Sequence, residues 1–468
     1  MKQLSASVLE EINGTVIVPP VRLMQLPEKV LQFGTGVLLR GLPDYFIDKA
    51  NRAGVFNGRI VVVKSTGVGT TDAFDEQDAL FTTCIRGIEG DLEKEELVIN
   101  SAISRVLPAN THWERILDLA GDPEMQLVIS NTTESGIIFV EEDIRQSPPV
   151  SFPGKLLSFL YRRYTHFQGS AESGMVIVPT ELIPGNGNQL RSVVMQLAMF
   201  NKMDHAFISW LETSNEFCNS LVDRIVPGVI TGEAKLILES ELGYSDELMI
   251  MAETFRFWAI ETDSARVKDV LSFAAVDDGV VITSSVRRFS ELKLRILNGS
   301  HSFSCAVALL AGFDTVRQAM DDVLFRRYIE QLMYTEIAVA VESSEITRAE
   351  AEAFAAKVID RFRNPFIEHR WTSIAVNYSS KLPLRSLPLI ERYVERTGML
   401  PWFMAVSVAA YVVYAAGDGD INTFILQLAA DNKLPPVFVD ELVALVARIK
   451  ETGITSLLQE MPADNTTV

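Results

Sequence analysis

Cysteine is nearly absent from this chain, long apolar runs are missing, and positive charge is in deficit. The three cysteines in 468 residues, Cys84, Cys218 and Cys305, show no pairing pattern. That excludes a disulfide framework and a cysteine-based zinc site, and it fits a reducing, cytoplasmic setting. His112, His166 and His205 sit in amphipathic stretches without metal-ligand spacing, so no metal is expected. The longest apolar run, Trp402 to Ala416, falls short of the roughly 20 residues that span a bilayer. It reads as a buried helix. The start, MKQLSASVLEEIN, has no apolar core, so no signal peptide is expected. Lys and Arg number 42 against 61 Asp and Glu, a net charge of −19. Nucleic acid and anionic membranes are poor partners for such a surface. Any anionic small molecule must be met by a local cluster of basic side chains.

The chain is too long for one ordinary core, so at least two domains are expected. Val30–Phe33 is a short apolar strand that runs into Gly34-Thr35-Gly36. A helix is predicted over Leu38–Ala53, with Gly54 ending it. Arg59–Lys64 (RIVVVK) is a β-branched run and reads as a buried strand. Further strands are expected at Phe81–Arg86 and Glu96–Asn100, an antiparallel insertion around a Gly87–Lys94 loop, and at Gln126–Ser130 and Gly174–Val178. Helices are expected at His112–Ala120 and Lys155–Phe167. Alternation of strand and helix predicts a doubly wound parallel sheet. After about residue 285 the strands give way to long helical patterns at 289–312, 315–334, 348–362, 388–397, 402–415, 422–430 and 436–449. The expected architecture is therefore α/β followed by all-α. A Rossmann-like domain would span 1–284 and a helical domain 285–468, with the boundary somewhere between 228 and 290.

Two stretches carry chemistry. Gly34-Thr35-Gly36 follows a strand and opens a helix, the context in which glycines let a backbone approach a pyrophosphate at a helix N-terminus. The usual third glycine is Leu39. Arg40 is expected to bring positive charge to the cofactor. The acidic residue that bonds a ribose 2′-hydroxyl should stand near position 64, where this chain has Lys64. That leaves NAD and NADP both open. The second stretch is Glu291–Phe303, ELKLRILNGSHSF. On an α-helical wheel with Lys293 at the origin, His301 falls near 80° and Asn298 near about 140°. Leu292, Ile296, Phe303 and Val307 gather on the opposite side. The arc is either the polar start of a capped helix or a proton donor flanked by two hydrogen-bonding groups.

With these residues in view, the chain resembles the mannitol dehydrogenase family of long-chain polyol-specific dehydrogenases over about residues 27–455. FGTGVLLRG (33–41), SNTTESGI (130–137), LVDRIVPG (221–228) and KLRILNGSH (293–301) carry the likeness. Within that family it is most similar to members that reduce a hexuronate. VIVPTELIPGNG (176–187), NEFCNSLVDRIVPG (215–228), NGSHSFSCAVALLAGFDTVRQAM (298–320) and RFRNPFIEHRWTSIAVNYSSK (361–381) carry that closer match. Leu182 stands where polyol-oxidising relatives usually have asparagine, which weakens a mannitol-type reading. The resemblance implies interconversion of D-tagaturonate and D-altronate with NAD, with D-fructuronate or a polyol as alternative substrates. A dinucleotide-binding sensor without turnover is the remote alternative. The resemblance assigns Lys293 as acid and base, Asn298 as donor to the carbonyl, and His301 as an orienting group. It also places the cofactor against Phe33, Gly34, Thr35, Gly36, Arg40, Lys64, Asn131, Thr132, Thr133 and Glu134. Glu181, Asp223, His369, Lys381 and Arg385 are the candidate substrate contacts. Arg361, Arg363 and Arg370 are further basic side chains available to a carboxylate, and arginine suits that group best.

Overall fold

The computed structural model describes residues 1–12, 14–65, 69–132, 135–417 and 419–462. The chain forms two compact units. One comprises Met1–Arg86 and Lys94–Val286, the other Gly87–Glu93 and Arg287–Val468.

Six strands build the main sheet of the first unit: β1 (Glu28–Phe33), β2 (Arg59–Lys64), β3 (Ile103–Pro108), β4 (Leu127–Ser130), β5 (Val176–Pro179) and β6 (Glu216–Phe217). Their spatial order is β3-β2-β1-β4-β5-β6, and every neighbouring pair is parallel. This is the order of dinucleotide-binding folds, with the chain reversing direction across the sheet between β1 and β4. The apolar runs feed two cores because successive side chains point to opposite faces. Val30, Ile60, Val62, Ile129 and Val178 enter one cluster. Leu31, Val61, Val63, Val128 and Ile177 enter another. β3 escapes the pattern-based reading because only half of ISRVLP is apolar. It is an edge strand ending in proline, where a missing N–H is tolerated. Its Ser104 and Arg105 side chains are held by Glu28, at 2.7 and 2.8 Å.

The helix expected at Leu38–Ala53 is two helices, α1 (Val37–Gly41) and α2 (Pro43–Arg52), broken at Leu42 (φ −133°, ψ −77°). Pro43 pushes its predecessor out of helical geometry and then serves as the first residue of the new helix. The expected insertion is longer than read, Phe81–Glu89 with Leu92–Asn100. It belongs to a four-stranded sheet with Gly228–Val229 and Ile250–Glu253.

The second unit is helical and has one core. Its centre is α3 (Asn298–Leu310), in which every residue from Gly299 to Ala308 is buried. Leu292, Ile296, Phe303 and Val307 all lie in the core, as the apolar stripe predicts. Helix α4 (Trp402–Ala416), the longest apolar run, packs against α3 with its residues Phe403–Val412 buried. Among the described residues no helix is long and apolar enough to cross a membrane. The smooth helix expected over 289–312 is interrupted: Lys293–Leu297 is a π-turn between Arg287–Leu292 and α3. A second π-turn, Leu332–Ile337, interrupts the next long helical stretch.

Candidate active site

In the first unit the glycine turn sits where the sheet reverses. The Gly34 N–H donates to the Val63 carbonyl at 3.1 Å, and the Asn131 N–H donates to the Phe33 carbonyl at 3.2 Å. The ends of β1, β2 and β4 are therefore laced together. Gly34 has φ +128°, and a Cβ there would lie 2.9 Å from Leu39 Cδ1 and 3.0 Å from the Asn131 carbonyl oxygen. Only glycine fits. A Cβ on Gly36 would meet nothing within 4 Å, so the backbone entering α1 is open to a ligand. Unpaired N–H groups there, with no side-chain cap, suit the pyrophosphate of a dinucleotide. The turn thus fits the expected cofactor.

The strand-end loop beside it is clamped by one buried carboxylate. Glu181 accepts from Ser130 Oγ at 3.1 Å, from the Thr132 N–H at 2.8 Å and from Thr132 Oγ1 at 2.9 Å. Asn131 Nδ2 donates to the Thr180 carbonyl at 3.1 Å and to Thr180 Oγ1 at 3.0 Å. Asn131 and Thr132 are thereby held at the sheet's carboxyl edge. Thr133 and Glu134 lie outside the described residues.

Several sequence expectations are corrected here. Arg40 does not face the turn. Its guanidinium is buried, donates to the Leu248 carbonyl at 2.6 Å and lies over Phe74 and Phe81. Burial lowers it to about 10 against the pull of Asp44 and Asp246. Phe33 offers only its backbone, since its ring packs 5.0 Å from Phe152 in the core. Glu181 is enclosed as the loop clamp, which removes it from the substrate contacts. Lys64 does end β2, opposite Pro108 of β3. Asp223 is buried at the end of the strand Ser220–Asp223. Its neighbour Arg224 is committed to backbone, donating to the Glu253 carbonyl at 3.0 and 2.8 Å and the Gly41 carbonyl at 2.5 Å.

In the second unit the π-turn reshapes the polar arc. The Asn298 N–H donates to the Lys293 carbonyl, five residues back rather than four. Such single-turn π-bulges inside α-helices recur at functional sites. Both side chains are half-buried, and the Asn298 amide makes no hydrogen bond among the described residues. His301 is buried against Phe362, ring centroids 4.2 Å apart, with His369 at 4.9 Å and Trp371 at 6.3 Å. Burial, then the positive potential of His369 and Arg361, drives His301 well below the usual histidine range, despite a hydrogen bond to the Leu297 carbonyl. The imidazole is therefore neutral, and its buried Nε2 has no hydrogen-bond partner among the described residues. That leaves an acceptor waiting for a donor, a cost a folded core rarely carries without a ligand.

Around this centre the basic residues divide. Lys381 Nζ donates to the Ile374 carbonyl at 3.1 Å. Arg363 pairs with Asp91 and Asp360, and Arg370 pairs with Glu368. His369 and Arg385 both act electrostatically on His301. Phe362, the ring beneath His301, went unassigned in the sequence. Its only mark there is its place in the RFRNPFIEHRW stretch. Among the described residues no group of three or more His, Cys, Asp or Glu side chains could hold a metal ion.

Comparison with known proteins places this geometry. The mannitol dehydrogenase Rossmann domain matches residues 28–271, and the mannitol dehydrogenase C-terminal domain matches residues 285–459. The chain is 39% identical over 406 residues to the altronate oxidoreductase of Halalkalibacterium halodurans, covering 86% of this chain and 78% of that protein. It is 34% identical over 460 residues to an altronate oxidoreductase of Escherichia coli, covering 94% of each. Among solved structures, substrate-free D-sorbitol dehydrogenase superposes with a TM-score of 0.80 at 21% identity, over 98% of this chain and all of that one. The mannitol 2-dehydrogenase of Pseudomonas fluorescens, in a ternary complex with NAD and D-mannitol, gives 0.69 at 22% identity, over 98% and 99%. At these identities the two structures speak for the fold.

Proposed function

Because the chain belongs to the mannitol dehydrogenase family, we propose that it interconverts D-tagaturonate and D-altronate with NAD, as an oxidoreductase acting on a CH–OH group. The observation that carries this reading is the π-turn. It joins Lys293 and Asn298 in one hydrogen-bonded ring, beside a buried imidazole whose Nε2 lacks a partner among the described residues. The relatives named altronate oxidoreductase supply the substrate class.

A nicotinamide dinucleotide, when bound, supplies and accepts the hydride. Gly34, Thr35 and Gly36 would hold its pyrophosphate, with Asn131 and Thr132 alongside. The protein's own residues manage the proton and the oxygen. Lys293 protonates the oxygen of the ketone as it is reduced, and takes that proton back in oxidation. The Asn298 amide donates to the same oxygen where negative charge develops. His301, neutral and fixed through the Leu297 carbonyl, accepts from a neighbouring substrate hydroxyl at Nε2.

Lys64 at the end of β2 favours a 2′-phosphate and hence NADP. The purified protein should oxidise NADH, followed by nicotinamide absorbance, when D-tagaturonate is added. A panel of D-tagaturonate, D-fructuronate and D-fructose with NADH and NADPH separates the alternatives. Silence with every uronate and ketose would sink the reading and leave a dinucleotide-binding sensor.

A further inference from the structure

We propose that Arg385 is the residue that selects an acidic substrate, by holding its carboxylate beside His301. This deepens the reading above and rests on it. Position comes first. Arg385 ends the helix Tyr378–Arg385, and its backbone is pinned against the start of α3. Its carbonyl accepts from Arg295 Nη1 at 3.0 Å and lies 3.3 Å from where a Gly299 Cβ would stand. The next residue, Ser386, donates to the Gly299 carbonyl at 3.2 Å. Arg385 is thus anchored beside the turn that presents Asn298 and His301.

Its charge is also uncommitted. The guanidinium is half-buried and has neither a hydrogen bond nor an ion pair among the described residues. Its neighbours differ. Arg295 and Arg392 share Glu291, Arg363 and Arg370 have their own carboxylates, and Lys381 has a carbonyl. Removing an arginine from water without a partner costs free energy that an anion would return. Two guanidinium groups, Arg361 and Arg385, bear electrostatically on His301. In a chain of net charge −19 they bring positive charge to the imidazole. A planar fork fits a carboxylate through two parallel hydrogen bonds, which a polyol cannot reciprocate.

The test uses the full-length protein with NADH bound, so that D-altronate is not oxidised, titrated calorimetrically with D-altronate and with D-altritol, which carries a hydroxymethyl group in place of the carboxylate. Arg385→Gln should weaken D-altronate by about 10- to 100-fold, the loss expected of a hydrogen bond to a charged group. D-Altritol should bind the variant as it binds the wild type. In turnover, KM for D-tagaturonate should rise while kcat at saturation stays near normal. Arg385→Lys, which keeps the charge and loses the fork, should fall between. Unchanged D-altronate affinity in Arg385→Gln, or equal weakening of both ligands, overturns the assignment of Arg385 while a wild type active on D-tagaturonate keeps the functional reading. A wild type that reduces no uronate overturns both.

Discussion

The backbone N–H of Asn298 is bonded to the carbonyl of Lys293, closing a ring one residue larger than an α-helical turn. In an unbroken α-helix these two side chains would diverge by about 140°. With the i→i+5 bond, residue 298 comes round towards the face of residue 293 instead. Inserting one alanine after Leu294 places Asn298 six positions after Lys293 and, at about 100° per residue, turns Lys293 away from Asn298 and His301. We expect kcat to fall by roughly 10² or more, the penalty of misplacing a reacting group, with the thermal midpoint little changed. Unaltered kcat in a folded insertion variant would show that the alignment of Lys293 with Asn298 is incidental.

Replacing Lys293 by alanine should lower kcat by about 10²–10⁴, the usual contribution of a positioned acid–base group. Cofactor affinity, measured by NADH fluorescence titration, should not change, because the phosphate-binding turn belongs to the other unit. Near-normal turnover would remove the lysine from the chemistry.

His301 carries a pH signature. Its folded-state value lies well below the unfolded one, about 6.5. Below that pH the unfolded chain takes up the proton and the buried ring does not, so this contribution is complete above pH 6.5 and is lost as pH falls through the depressed folded value. The stability advantage of wild type over His301→Asn should therefore shrink as pH drops from 7 towards 5, in urea melts of both proteins. An advantage that grows on acidification would mean a charged imidazole.

Asp44 should behave with the opposite sign. Burial, against the opposing effects of Gln32 and Arg40, pushes this fully enclosed carboxyl up to about 8. Folded protein then keeps the proton over a range where unfolded chain releases it, so its contribution fades as pH rises from 4 to 8. Asp44→Asn should gain on wild type by at most about 1.4 kcal/mol per pH unit over that range. The comparison is again by urea melts, at pH 5, 7 and 8.5. A variant that loses ground on wild type as pH rises would show an ionised Asp44 paired with Arg40.

How much was legible varies by kind of feature. The strands of RIVVVK and QLVIS were legible because burial on both faces demands a continuous apolar run. Strand β3 was not, since an edge strand tolerates Ser104 and Arg105 when Glu28 comes to meet them. The stripe Leu292–Ile296–Phe303–Val307 announced its helix face, and Gly34 announced a turn that no side chain can occupy.

Charged residues were another matter. Arg40 looked like a positive charge for the cofactor or substrate cleft until Leu248, distant in sequence, supplied a carbonyl to hold it. Glu181 looked like a substrate contact, but Ser130 and Thr132 enclose it. Lys381 and Arg385 stand four positions apart with the same charge, and only one of them found a partner. Local preference and apolar periodicity act through neighbours in sequence, so the chain alone determined the buried strands, the main helical stretches and their buried faces. The extra residue in the Lys293–Asn298 ring, and the choice of which charges stay open, depend on groups brought together from far along the chain. Those only the tertiary structure could decide.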